Sequence, residues 1–167
     1  MHTNLRPPSP LLFKMTNAIC ESRNRSWVTI EQCRLRAISR NKTVLNIEVT
    51  FLQPAYKIHV NIQMKKKANG YKPWLANYTI DGCAFMRRVN HPGVKILWEM
   101  IKDCSTVNHT CPYVGKQAVR DMWADLRNLK LPVPSGEYLI LITWMLDMKP
   151  QFVTNVYFTL SQDMFKD

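Results

Sequence analysis

The sequence predicts an antiparallel β-sandwich carrying one inserted amphipathic helix, and three observations predict it. Segments of period-two hydrophobicity recur along most of the chain, turn residues separate them, and one central stretch changes to helical spacing. The 167 residues, 46% of them hydrophobic, are enough to bury one core and suit a single domain. Charged residues at 21% and aromatics at 10% are not the composition of a disordered chain.

Residues 1–12 are polar and proline-rich and read as a disordered or misassigned lead-in, residues 13–162 as the single domain, and residues 163–167 as a tail. Trp27, Thr29 and Glu31 alternate with Val28, Ile30 and Gln32, a weak strand signal that runs on to Cys33. The two clearest strands follow. Leu45, Ile47, Val49 and Phe51 alternate with Asn46, Glu48 and Thr50, and Tyr56, Ile58, Val60, Ile62 and Met64 alternate with Lys57, His59, Asn61 and Gln63, with Gln53-Pro54-Ala55 as the break between them. Asn69-Gly70 is the strongest short hairpin signal in the chain, and beyond it Trp74, Ala76, Tyr78 and Ile80 keep the same period, which predicts a hairpin from Tyr56 to Ile80. Tyr138 to Trp144 is apolar on both sides, as in a strand covered on both faces, and Val153 to Leu160 completes the set of six to eight strands. Between them, at about 84–126, lies the helical insertion. Val94, Leu97, Trp98, Ile101 and Cys104 recur at helical spacing after Pro92-Gly93, predicting a helix over 92–104, and a second short helix is expected from Lys116 to Leu126.

Five cysteines leave at least one unpaired and allow fifteen two-bridge frameworks. Proximity in sequence favours Cys20 with Cys33 and Cys83 with Cys111, leaving Cys104 as a thiol on the apolar helical face. Four sequons without proline, at Asn24, Asn41, Asn77 and Asn108, accompany these cysteines, and the last of them stands directly against Cys111. Sequons and a framework-like cysteine set together predict an extracellular, glycosylated protein. Residues 1–12 lack the apolar run of a secretory leader, so the expectation is a secreted protein whose signal peptide is absent from this chain.

The net charge of +11 raises a nucleic-acid reading, but the basic residues are dispersed, and the densest run, Lys65-Lys66-Lys67, stands just before the Asn69-Gly70 turn. A solvated turn accounts for it, and no nucleic-acid partner is expected. The same field would draw the protein to an anionic lipid or glycan surface in a salt-dependent way. No stretch reaches the roughly 18 apolar residues of a membrane span. Zinc would need Cys104, His109 and Cys111 with Cys83 or His91, and those residues lack paired ligand spacing, so neither metal nor cofactor is expected. His2, His59, His91 and His109 have no nucleophile or orienting acid legible beside them, and five glycines form no phosphate loop. A non-enzyme is expected, with no catalytic residues.

The ordered set Cys20-Glu21-Ser22, Cys33-Arg34-Leu35, Asn69 to Leu75, Asp81-Gly82-Cys83-Ala84-Phe85, Asn108 to Tyr113 and Pro134 to Tyr138 resembles a large insect family. That family consists mostly of uncharacterised secreted proteins, with chemosensory CheB-type proteins among its relatives. The resemblance runs from about Phe13 to Ser161, and the chain departs from the family in its missing leader and in the extra Cys104. The family in turn is similar to the lipid-recognition (ML) superfamily, which includes sterol carriers of the Niemann-Pick kind. The resemblance implies an immunoglobulin-like sandwich that holds a lipid or other hydrophobic small molecule between its two sheets, in a chemosensory setting and with a receptor as a second kind of partner.

Under that reading the pocket would be lined by Ile47, Val49, Ile58, Val60, Ile62, Tyr78, Ile80, Ile142, Trp144, Val156 and Phe158. An acyl chain in such a dry space gains roughly 0.8 kcal/mol per buried methylene. The same residues at the same period also build an ordinary filled core. A solid-cored extracellular module that recognises a protein or glycan through its basic surface is therefore the alternative.

Overall fold

The computed structural model describes residues 11–127 and 133–162. Among them the chain forms eight strands and two helices: β1 Leu11–Ser22, β2 Val28–Ser39, β3 Lys42–Ala55, β4 Ile58–Lys67, β5 Tyr71–Asp81, α1 Gly82–Arg87, α2 Pro92–Ile101, β6 Tyr113–Met122, β7 Gly136–Leu146 and β8 Lys149–Gln162. Two antiparallel sheets result, one of five strands in the order β1-β8-β7-β4-β5 and one of three in the order β2-β3-β6. They pack as a sandwich, because each core cluster draws on both sheets. Val28, Val49 and Phe51 of the small sheet meet Val60, Leu146 and Phe152 of the large one, and Leu45 meets Met15, Tyr138 and Val156. Phe51 and Phe152 contact edge to face across the gap with centroids 5.8 Å apart.

Turn chemistry sets the hairpins. Asn69 and Gly70 both take positive φ (54° and 90°), the mirror-image turn that suits twisted strands, and join β4 to β5. Asp147 and Met148 make a two-residue connection with φ of 51° and 64°, between β7 and β8. The Asp147 amide donates to the Lys57 carbonyl at 3.2 Å, tying that turn to the β3–β4 connection.

The structure corrects the expected boundaries in several places. Leu11 and Leu12 belong to β1, with Leu11 buried in the core, so the strand begins inside the stretch assigned to the lead-in. Residues 1–10 and the tail 163–167 lie outside the described residues. Gln53, Pro54 and Ala55 do not break the chain; they are the end of β3, and the connection to β4 is Tyr56-Lys57. Tyr56 is consequently exposed and does not join the inward row of Ile58, Val60 and Ile62. Cys83 and Phe85 lie on the short helix α1, capped by the Asp81 carboxylate accepting from the Ala84 amide at 3.0 Å. Helix α2 stops at Ile101, and Lys102 to Cys104 form turns.

Across the expected helix from Lys116 to Leu126, residues 123–126 have no regular structure, and those through Met122 belong instead to the strand β6, paired to β3. Its helix-forming residues are overridden by that pairing, and two positive-φ residues, Gly115 (78°) and Asp121 (50°), disturb its period. Asp121 is held there by its amide donating to Asn46 Oδ1 at 3.0 Å and by an ion pair with Arg36 at 3.0 Å.

Candidate functional site

The register places the inward faces unambiguously. On the large sheet Thr154, Ile142, Ile62 and Tyr78 form one row, and Phe152, Trp144, Val60 and Ile80 form the next. Val156 and Phe158 follow on β8, Ile47 of β3 packs against their cluster, Val49 of β3 belongs to the cluster of Val60 and Phe152, and Ile58 begins the inward row of β4. All eleven residues singled out by periodicity therefore lie in the two core clusters between the sheets. Ile47 and Ile140 border both clusters and connect them.

Their burial is uneven in an informative way. Val49, Ile58, Val60, Ile62, Val156 and Phe158 are buried, whereas Ile47, Tyr78, Ile80, Ile142 and Trp144 are only half-buried. Ile140, Ile142 and Trp144 lie on the inward face of β7, the middle strand of the large sheet. On the opposite face Leu139 and Val153 are each only 5% exposed. Tyr138 and Leu146, also inward on β7, are 0% exposed, and the outward Leu141, Thr143 and Met145 are half-buried, so the inward row is fully covered at both ends and partly covered in the middle.

Both seams of the sandwich carry a disulfide. Cys20 of β1 is bonded to Cys33 of β2, joining an edge strand of each sheet, and Cys83 of α1 is bonded to Cys111 just before β6. The second bond fastens the helical connection where it leaves the large sheet and enters the small one. Closures of loops with sequence separations of 13 and 28 should each stabilise the fold by roughly 2–4 kcal/mol. Cys104 stays a thiol, and burial pushes its pKa up.

Helix α2 covers the seam between β5 and β6. Val94 on it is buried, and Leu97 and Trp98 pack against the same cluster. Its start is fixed by Pro92 and by the His91 ring accepting from the Val94 amide at 3.2 Å. The His91 ring also meets Tyr78 edge-on with centroids 4.7 Å apart. Trp98 contacts Phe85 at 6.3 Å, and its indole N–H is buried with no hydrogen-bond partner among the described residues. Opposite, Trp144 stacks on Phe152 at 5.4 Å and donates to Thr154 Oγ1 at 3.0 Å. The core thus has an aromatic wall at Trp144 and Phe152, and the helix over the seam carries a buried donor without a partner among the described residues.

Two of the clefts in the described surface have defined linings. The larger, about 390 Å³, is lined by Leu11, Phe13, Lys14, Lys42, Trp123 and Leu126 among others and by none of the eleven residues. The smaller, about 230 Å³, lies where α1 meets α2 and includes Ile80 with Phe85 and His91.

The four sequon asparagines differ in exposure. Asn41, Asn77 and Asn108 are exposed, and Asn24 is half-buried in a turn. Asn24 Oδ1 accepts from the Ser26 amide at 3.2 Å, and Asn77 Oδ1 accepts from Asn61 Nδ2 at 3.0 Å. In both cases the amide nitrogen, the atom that carries a glycan, makes none of these bonds. No helix among the described residues is long and apolar enough to cross a membrane. No curated protein matches the chain. Residues 60–140, from β4 through both helices and β6 to β7, match the family described as "Protein of unknown function (DUF1091)".

Proposed function

We propose that this protein is a secreted binding protein for a lipid or other hydrophobic small molecule, held between two sheets of an immunoglobulin-like sandwich and serving chemosensation. One observation carries the reading: Ile140, Ile142 and Trp144, in the middle of the inward row of β7, are half-buried between Tyr138 and Leu146, which are 0% exposed. Apolar side chains that face inward and stay half-covered are completed by a ligand that supplies the missing contacts. The unpartnered Trp98 N–H supports it, since a buried donor without an acceptor is costly and a ligand oxygen would relieve it. Disulfides at both seams keep such a shell from collapsing or opening. The resemblance to chemosensory CheB-type and lipid-recognition proteins gives the setting.

The alternative, an extracellular module with a solid core that recognises a protein or glycan, draws on the net charge of +11. Displacement of a fluorescent fatty acid separates the two. Saturable displacement with one site per chain supports the binding protein. No fluorescence response, together with salt-sensitive retention on heparin, supports the module.

A further inference from the structure

The inward row at the hairpin end of the large sheet changes character along its length. Register aligns Met15, Phe158, Tyr138, Lys66 and Lys72 across β1, β8, β7, β4 and β5. The first three are buried. Lys66 ends the run Ile58, Val60, Ile62, Met64 on β4, so its half-buried side chain stands at the hairpin end of the inward row, the end we take as the mouth of the space between the sheets. Lys72 is directly opposite it on β5, an arrangement of like charges that destabilises a sheet unless an anion lies between or above them.

No such anion is supplied by the described chain. Lys67, one residue on and facing the other way, pairs with Glu137 at 3.4 Å, whereas neither Lys66 nor Lys72 makes an ion pair among the described residues. Lys66 instead sets its ammonium 5.6 Å from the centre of the Tyr138 ring. The backbone makes room for it there. A methyl group at Gly136 would come within 2.9 Å of Lys66 Nζ and 3.3 Å of Cε, so the ammonium packs close against this glycine, though the flexible lysine end could shift to relieve such a contact. Tyr138 is fixed beneath by its hydroxyl donating to the Pro134 carbonyl, and Trp74 flanks it at 5.2 Å.

We infer that Lys66 and Lys72 form a head-group site for an anionic amphiphile, whose carboxylate or phosphate binds at this mouth while its tail runs inward over Tyr138 and Ile140. The inference rests on the proposed function and narrows the ligand to acids. An ammonium 5.6 Å from an aromatic ring centre and without an ion pair among the described residues offers charge-assisted hydrogen bonds to an oxyanion and nothing comparable to an ester or alcohol.

The test compares hexadecanoic acid with hexadecanol, and lysophosphatidic acid with monoacylglycerol, on the glycosylated, disulfide-intact protein. Wild type is expected to prefer each acid over its neutral counterpart by roughly tenfold, with the preference shrinking in high salt. Lys66→Gln should bring the acids to the level of the neutral ligands and leave the neutral ligands unchanged, while Lys66→Arg and Lys67→Gln keep the preference. A preference for only the fatty acid or only the phosphate supports the site and names its head group. Equal binding of acid and neutral ligand by wild type, or an acid preference that survives Lys66→Gln, overturns the head-group site and leaves the hollow sandwich standing. Binding of none of the four overturns the hollow sandwich and the site with it.

Discussion

Gly93 lies flat against the ring of Tyr78: a Cβ at Gly93 would be 2.9 Å from Cε2 and 3.1 Å from both Cζ and the hydroxyl. This contact seats the first turn of α2 on β5, and it is the point at which the helical connection closes over the large sheet. Glycine to alanine inside a helix ordinarily stabilises by about 0.5–1 kcal/mol. Here Gly93→Ala is expected to destabilise by about 1–3 kcal/mol through overpacking. Tyr78→Leu in the same chain should recover most of the loss, because the atoms that clash are then gone. Denaturant unfolding of the two single variants and the double variant measures the coupling.

The disulfides divide the stability of the two seams. Peptide mapping without reduction should yield a Cys20–Cys33 and a Cys83–Cys111 linked pair and an alkylatable Cys104. Replacing both members of either pair with serine should cost about 2–4 kcal/mol, with the longer Cys83–Cys111 loop the more costly. Loss of that second pair should also raise proteolytic cutting within residues 88–110, the connection it fastens.

Burial pushes up the pKa of the Tyr138 phenol, which is 0% exposed, and of the Cys104 thiol. For each group the unfolded chain ionises first as pH rises. Its contribution to stability is therefore full below the ordinary range of the group, about 8.5 for a thiol and about 10 for a phenol, and is lost as pH climbs through the raised value. Unfolding midpoints should fall above neutral pH in that order. Tyr138→Phe should lower stability at neutral pH by about 1 kcal/mol through the lost bond to Pro134, yet flatten the decline above the phenol range. Cys104 should alkylate more slowly than a free thiol at neutral pH.

Protein made in a secretory host is expected to carry sugar at Asn24, Asn41, Asn77 and Asn108. Enzymatic deglycosylation followed by intact mass should reveal the increments, and each asparagine to glutamine variant should remove one. Thr79→Ala removes the sugar at Asn77 and also the bond from Asn61 Nδ2 to Thr79 Oγ1, which is 2.9 Å long.

What could be read from sequence follows from where the strands stay regular. β4, with Ile58, Val60 and Ile62 in unbroken alternation, was legible because that face meets the core, and β5 was legible from Tyr78 and Ile80, although a register shift and the positive φ of Leu75 interrupt it nearer the hairpin. β1 was hidden by a bulge between Met15 and Asn17, which moves its inward set from Leu11, Phe13 and Met15 to Ala18 and Cys20. β6 was hidden by irregularities at both ends of its pairing with β3, so Gln117 and Ala118 are buried side by side and the run resembles a helix. The eleven inward residues were legible as a set, but their coverage was not, because periodicity reports which way a side chain points and not what fills the space beyond it. Lys66 was legible only as part of a basic run. Its separation from Lys65 and Lys67 needs the register that puts it opposite Tyr138 and Lys72.

The hollow sandwich is tested most directly by native mass spectrometry of the glycosylated protein from a secretory host, before and after solvent extraction. The predicted result is a one-to-one adduct with the mass of a hydrophobic small molecule, removed by extraction and restored when an acyl ligand is added back. A protein that flies at its bare glycoform mass, before extraction and after incubation with acyl ligands, would contradict it and leave Ile140, Ile142 and Trp144 as the wall of a closed core.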